Sequence, residues 1–305
     1  GEAGRAGGAG RSREQGAGRR NSNHGLLIGR SPLSPFSLLL SPAPASSSRL
    51  RVVKHFPTLL SHETRMLLVS PATYVAATLF LAFMGLIFTK ILEIYSGTPQ
   101  ELSPANVYFQ LFWLPACVMV PLLTMKCIAE ERRLGTIETL LTTPVTTTEV
   151  VLAKFGAAYF LYSALWGSTV GFFYILRKFS GDARFLDSGP LLGGFLFIAV
   201  SGLFFVAIGV FSSSVTSNQS VAGILGCVML ATLILGGNAL SDSAWLEQGV
   251  LKPAKSVIEY AHVFGHRDDF TRGVIDTRHL LFYLSGTALA LIFSILSVEA
   301  KLLHS

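Results

Sequence analysis

The chain has 305 residues, of which 50% are hydrophobic and only 14% are charged, and its mean hydropathy is +0.53. Soluble domains carry about 25% charged residues, so this composition excludes a single water-soluble globule and favours a protein that lies largely in lipid. The net charge of +6 belongs to residues 1–54, whose nine Lys/Arg and two acidic residues give +7 and leave the remainder at −1. The body of the chain therefore offers no basic footprint, and we expect no nucleic-acid partner.

Residues 1–50 are rich in Gly, Arg, Ser, Pro and Ala and show no hydrophobic periodicity. Such a composition is typical of disorder, because it cannot bury enough apolar surface to order the chain. We interpret the segment as a disordered low-complexity tail. An upstream extension outside the natural product is favoured over a regulatory tail, and both interpretations stay open.

Beyond Arg65 the chain contains uncharged runs of membrane-spanning length. A transmembrane helix needs about 20 apolar residues. The run 188–241 is too long for one helix and is divided by the polar segment 212–220. Residues 51–303 are thus predicted to form an all-α domain, a polytopic membrane protein with six transmembrane helices. These spans are expected near residues 71–92, 106–126, 155–176, 190–211, 221–240 and 280–298.

The predicted spans hold no ionisable residue near their centres, which argues against an ion-coupled carrier. Pro115 and Pro121 should kink the second span, either as a packing feature or with a mechanical role. Small residues are expected to permit close helix packing. They are Gly193, Gly194, Gly202, Gly209, Gly223 and Gly226. The cysteines 117, 127 and 227 show no metal or disulfide spacing and are interpreted as buried small side chains.

The polar segment 127–150 lies between the second and third predicted spans. Apolar residues at 128, 134, 137, 140 and 141 predict a short amphipathic helix over 130–141 at the membrane surface, with turns at Gly135 and 142–144. A solvated loop with a charged face is the alternative. Thr146 and Glu149 have capping-box spacing and should start the helix that becomes the third span.

The segment 242–279 is a long connection before the last span, with helix-like stretches around 245–264. Asp276 is well placed to cap the last helix, and this structural role is favoured over a catalytic one. His262 and His266 have no accompanying cysteine or paired ligand, so no metal site is expected.

Three stretches of the chain resemble the permeases of type-2 ABC exporters. EERRLGTIETLLTTPVTTTEVVLAK (130–154) is similar to the first cytoplasmic segment of the family, and HETRMLLVSPATYVA (62–76) to its entry into the first span. FTRGVIDTRHLLFYLS (270–285) resembles the approach to the last span in the subgroup related to gliding-motility permeases, although His279 stands where an acidic residue is more usual. The resemblance covers residues from about 55 to 303.

The resemblance implies a transport subunit whose 130–141 helix docks on a cytoplasmic ABC ATPase. The resemblance implies that seven residues of this segment couple the chain to the ATPase. They are Glu130, Glu131, Arg132, Arg133, Gly135, Thr136 and Glu138. The chain has no GxxxxGK[ST] motif to cradle nucleotide phosphates, so we expect it to be no enzyme and to hold no cofactor, with ATP bound by the partner. A second permease copy or a paralogue is the other implied partner, beside the lipid bilayer.

The numbers of Lys and Arg in the loops on the two sides of the membrane are nearly equal, so they do not decide the orientation of the chain in the membrane. The charges that flank the first span alone favour a cytoplasmic N-terminus. The resemblance implies the same orientation, in a bacterial cytoplasmic membrane, with 242–279 outside. The function expected is a permease of an ABC exporter that couples ATP hydrolysis to translocation. The alternative is a non-transporting scaffold or mechanical component of an envelope or motility machine. The sequence does not indicate the substrate.

Overall fold

The structure of the chain, a computed structural model, describes residues 47–97, 103–136, 146–180, 188–241, 260 and 262–302. Within these ranges the chain forms helices and turns, and no strand. Residues 1–46 of the predicted tail and 242–259 of the predicted loop lie outside the described residues, as does Glu138.

The described residues form eleven helices. They are α1 (Ser47–Val69), α2 (Pro71–Gly97), α3 (Pro104–Gln110), α4 (Trp113–Thr124), α5 (Ala129–Leu134), α6 (Thr147–Ser168), α7 (Val170–Ser180), α8 (Ser188–Val215), α9 (Gln219–Ser241), α10 (Val263–Thr271) and α11 (Thr277–Leu302).

Six helical segments in the described ranges are long and apolar enough to cross a membrane. They are Pro71–Ser96, Trp113–Leu134, Thr147–Lys178, Ser188–Val215, Gln219–Gly237 and Thr277–Lys301. The all-α fold of a polytopic membrane protein with six spans is therefore confirmed.

Prolines set several helix boundaries. α1 ends at Val69 because the residue before a proline, Ser70, is disfavoured in a helix, and Pro71 then starts α2 at a position where its missing N–H costs nothing. Pro115 cannot donate to the carbonyl of Leu111, where the chain turns between α3 and α4. The second span, predicted as one helix over 106–126, is therefore interrupted at residues 111–112.

The third span begins earlier than predicted, at Thr147 rather than near residue 155. The predicted capping box is confirmed: Thr146 Oγ1 accepts from the Glu149 backbone at 3.3 Å, and a Glu149 carboxylate oxygen accepts from the Thr146 backbone at 2.9 Å. The earlier start places Lys154 within the helix. Asp276 caps α11 as expected, since its Oδ1 accepts from the Arg278 backbone at 2.9 Å.

α8 is the central helix and packs against α3, α4, α6, α9, α10 and α11. Its glycines allow close approach: a Cβ added at Gly202 would lie 2.1 Å from Tyr162 Cε1, and one at Gly209 would lie 2.4 Å from Thr124 Oγ1. The predicted close packing is confirmed at five of the six glycines, while Gly223 makes only ordinary contact, 3.5 Å from Met125 Sδ.

Aromatic rings fill the core at the end of the bundle where α3 and α7 meet α2. Tyr108 and Phe173 lie edge to face with ring centroids 5.0 Å apart, and Phe88 lies edge to face with Phe173 at 5.8 Å. Such contacts contribute about 0.5–1.5 kcal/mol beyond the area that they bury. This packing fixes one end of the bundle, and the polar contacts described next gather at the other.

Candidate functional site

The candidate site is built on α5, which is separated from α4 by a turn over residues 125–128. Glu130 and Glu131 occupy the first turn of α5, and Arg132 and Arg133 the last, as the helix dipole favours. Gly135 follows in the left-handed conformation with φ 69° and ends the helix at Leu134. The turn expected at Gly135 is confirmed, whereas a single helix over 130–141 is wrong, since Gly135 interrupts it.

The predicted coupling residues divide into two groups. The side chains of Glu131 and Arg132 turn towards the bundle, whereas Arg133, Gly135 and Thr136 are exposed. Leu134, between them, is 62% exposed although it is apolar. Glu130 is half-buried.

Lys154 of α6 joins two carboxylates from different helices. Its Nζ lies 2.6 Å from Oε1 of Glu131 on α5, and 3.1 and 3.0 Å from the two carboxylate oxygens of Glu63 on α1. The Lys154 side chain is 4% exposed, against 13% for Glu63 and 25% for Glu131. An ammonium has three donors, and all three are used here.

Arg132 makes a second link from α5 into the bundle. Its Nη2 donates to the backbone carbonyl of Ser297 on α11 at 2.9 Å. Glu131 and Arg132 of the predicted coupling segment therefore have partners within the chain. Ser297 is 165 positions away from Arg132, so no local sequence pattern indicates this contact.

Ser213, in the last turn of α8, holds the turn between α4 and α5. Its Oγ accepts from the backbone N–H groups of Ile128 and Ala129, both at 3.0 Å, and donates to the carbonyl of Met125 at 3.2 Å. The sequence pattern indicates only that this serine belongs to the polar segment 212–220 between two spans. The contact joins positions 85 residues apart, so sequence periodicity could not reveal it.

The ends of three further helices meet at this site. Ser297 Oγ of α11 donates to the Ser214 carbonyl at 2.9 Å, and Lys301 Nζ donates to the carbonyl of Val215. Thr147 Oγ1 donates to Glu299 Oε1 at 2.7 Å, which joins the start of α6 to the end of α11. We call this end of the bundle, where α5 meets the ends of α6, α8 and α11, the α5 end.

At the opposite end of α11, His266 of α10 is buried against His279, with ring centroids 4.0 Å apart. His266 Nδ1 lies 3.1 Å from the hydroxyl of Tyr283, and Asp269 Oδ2 lies 3.8 Å from His279 Nε2. Burial, with a further contribution from neighbouring His279, lowers the pKa of His266 to about 4. Within the described ranges no group of three or more His, Cys, Asp or Glu residues is arranged to hold a metal ion.

α5 is fixed to the bundle on one side and exposed on the other. Buried polar contacts fix α5 against α1, α6, α8 and α11, while its last turn and the residues after it, 133–136, stay exposed. A short helix that is anchored on one side and exposed on the other can transmit the motion of a bound partner to the helices behind it.

A family model described as ABC-2 family transporter protein matches residues 57–299, a range that includes α5, the first five spans and the last span as far as residue 299. No curated protein matches the chain.

Proposed function

Since the chain belongs to the ABC-2 family of transporter proteins, we propose that it is the membrane-spanning permease subunit of an ABC exporter. In this proposal a separate ABC ATPase hydrolyses ATP, and a second copy of the chain or a paralogue completes the transporter. The resemblance of residues 270–285 supports the subgroup related to gliding-motility permeases.

The observation that carries the proposal is the exposed tip of α5, residues 133–136. Arg133 and Leu134 are both exposed, so the tip presents a cation beside a large apolar side chain. A projecting apolar residue beside a cation suits a groove on a protein partner better than a lipid surface without charge. The ATPase is proposed to bind this tip.

The exposed tip of α5 also supports a cytoplasmic position for the α5 end of the bundle. An ATPase that hydrolyses cellular ATP is cytoplasmic, so the α5 end is proposed to face the cytoplasm of a bacterial cell, with α10 on the outer side. The three basic residues that precede the first span, at 51, 54 and 65, agree with a cytoplasmic N-terminus.

The test is co-purification of the tagged full chain with the ABC ATPase encoded beside its gene. Arg133→Glu and Leu134→Asp should each reduce the yield of the complex about tenfold or more, since about 1.4 kcal/mol corresponds to a factor of ten and hot-spot residues contribute about 2 kcal/mol or more. Arg272→Glu is the matched control, an exposed arginine next to α10 at the opposite end of the bundle, and should leave the yield unchanged.

Three results decide the matter. Loss of complex with the two tip variants alone supports the proposal. Full complex yield in all variants overturns the tip as the docking site. A complex that hydrolyses ATP in lipid vesicles without moving any solute or lipid across the membrane favours the scaffold alternative.

A further inference from the structure

The turn over residues 125–128 has too few hydrogen bonds of its own to fix α5. Met125 N–H donates to the Pro121 carbonyl, which continues the register of α4, and Cys127 N–H donates to the Thr124 carbonyl in a tighter, 3₁₀-type turn. Ile128 is the N-cap of α5 and makes no side-chain hydrogen bond as a cap, because its side chain is a hydrocarbon. The first amides of α5 therefore need an acceptor from elsewhere in the molecule.

Ser213 supplies that acceptor from α8. A serine hydroxyl has one donor and two acceptor sites. Here the two acceptor sites receive Ile128 and Ala129, and the hydroxyl hydrogen goes to the Met125 carbonyl. The side chain, buried with 0% exposure, is thus fully satisfied by one short stretch of backbone.

The two neighbouring serines of α8 behave differently. Ser212 Oγ donates to the Gly209 carbonyl and Ser214 Oγ to the Phe211 carbonyl, both at 2.8 Å and both within α8. Back-bonding of this kind is ordinary for serine in a helix. Ser213 alone of the three directs its hydroxyl to another segment, although all three side chains are fully buried.

We propose that Ser213 is a positioning residue for α5, the helix to which the ATPase is proposed to bind. Because Ser213 belongs to α8 but caps the start of α5, it makes α5 and the end of α8 move together. This inference rests on the proposed function, because it assigns the route by which motion of α5 reaches the spans. α8 is the central helix, so a displacement of α5 that carries the end of α8 with it reaches α6, α9 and α11 directly.

The first experiment needs no ATPase. Amide hydrogen exchange by mass spectrometry is compared for the wild type and for Ser213→Ala, Ser212→Ala and Ser214→Ala, in the full chain reconstituted in lipid nanodiscs. Peptides that cover residues 125–134 should exchange about tenfold faster in Ser213→Ala, because two amides lose their buried acceptor. The two control variants should match the wild type there. Equal exchange in all three variants would overturn the inference.

The second experiment measures coupling in the complex with the ABC ATPase encoded beside the gene. Ser213→Ala should leave the yield of the complex unchanged, because the exposed tip is untouched, yet lower the stimulation of ATP hydrolysis about fivefold through the loosened junction. Ser213→Thr, which keeps the hydroxyl, should restore stimulation.

The outcomes separate the two proposals. Unchanged stimulation in Ser213→Ala, or loss of the complex itself, overturns the positioning role. If the wild-type chain neither binds nor stimulates the ATPase, the proposed function fails instead, and the exchange experiment still decides whether Ser213 holds α5.

Discussion

The ammonium nitrogen of Lys154 lies 2.6 Å from Oε1 of Glu131, which joins α6 to α5 across 23 positions of the chain. The same nitrogen binds Glu63, so one cation holds α1, α5 and α6 at a single point. Since α1 precedes the first span, the contact ties the helix before that span to the proposed docking helix.

Loss of this cation should destabilise the protein strongly. Lys154→Met removes the partner of two largely buried carboxylates, and breaking a buried ion pair on one side costs about 3–5 kcal/mol. We expect a clear fall in the thermal unfolding midpoint in detergent. Further replacement of Glu63 and Glu131 by Gln should recover much of the loss, because the uncompensated charges are then gone.

Lys90 provides the matched control for that substitution. It pairs with Glu93 at 2.8 Å, but the two side chains are 75% and 70% exposed. The pair lies near the end of the first span and joins neighbouring turns of one helix. Such exposed pairs contribute little to stability, so Lys90→Met should lower the unfolding midpoint much less than Lys154→Met. Equal effects of the two lysine substitutions would show that Lys154 acts as a solvated surface residue.

The local features of this site could be predicted from the sequence, and the long-range ones could not. Thr146 and Glu149 lie three residues apart and form the capping box that their spacing indicates. Lys154 and Glu63 are 91 positions apart, and their contact depends on how α1 lies against α6. Periodicity places a residue on a face of its own helix but does not say which helix covers that face.

Close packing at Gly202 should be sensitive to a single methyl group. Gly202→Ala would place a Cβ 2.1 Å from the ring of Tyr162, which is fully buried, so α6 and α8 must separate. Overpacking of this kind costs about 1–3 kcal/mol. Gly171→Ala is the control, because nothing lies within 4 Å of its Cβ. A thermal unfolding scan in detergent should show a lower midpoint for Gly202→Ala alone, and an unchanged midpoint there would contradict the described packing.

The buried His266 should make stability depend on pH. Its pKa is lowered from 6.5 to about 4 in the folded chain, so the unfolded chain binds the extra proton first as pH falls. Stability is therefore complete above pH 6.5 and declines between pH 6.5 and 4, by on the order of 2 kcal/mol. The titratable groups near His266 are His279 and Tyr283 of α11, Asp276 just before α11, and His262 just before α10.

Substitution separates His266 from the other titrating groups. His266→Asn cannot take up a proton, so its unfolding midpoint in detergent should fall less steeply from pH 7.5 to 4.5 than that of the wild type. His62→Asn, which changes an exposed histidine of α1, should keep the wild-type slope. If the unfolding midpoint of His266→Asn falls with pH as steeply as that of the wild type, the loss of stability in acid is due to carboxylates and not to His266.

The proposed orientation can be read from two exposed positions at opposite ends of the last span. Ser217 follows Val215, whose carbonyl binds Lys301 near the end of α11, and Val274 precedes the start of α11 at Thr277. α11 has 26 residues, so at 1.5 Å per residue it is about 39 Å long, enough to cross the roughly 30 Å hydrocarbon core of a bilayer. The two positions should therefore lie on different sides of the membrane.

Single cysteines at these positions, after replacement of the native cysteines 117, 127 and 227 by serine or alanine, can be labelled in intact cells with a membrane-impermeant maleimide. Val274→Cys should react from outside, because α10 and its neighbours are proposed to lie on the outer face. Ser217→Cys should react only after the cells are permeabilised, because it lies beside α5, where the ATPase must bind. The reverse pattern would place the α5 end outside the cell, away from ATP, and would remove the tip of α5 as the docking site even though the six-span fold would stand.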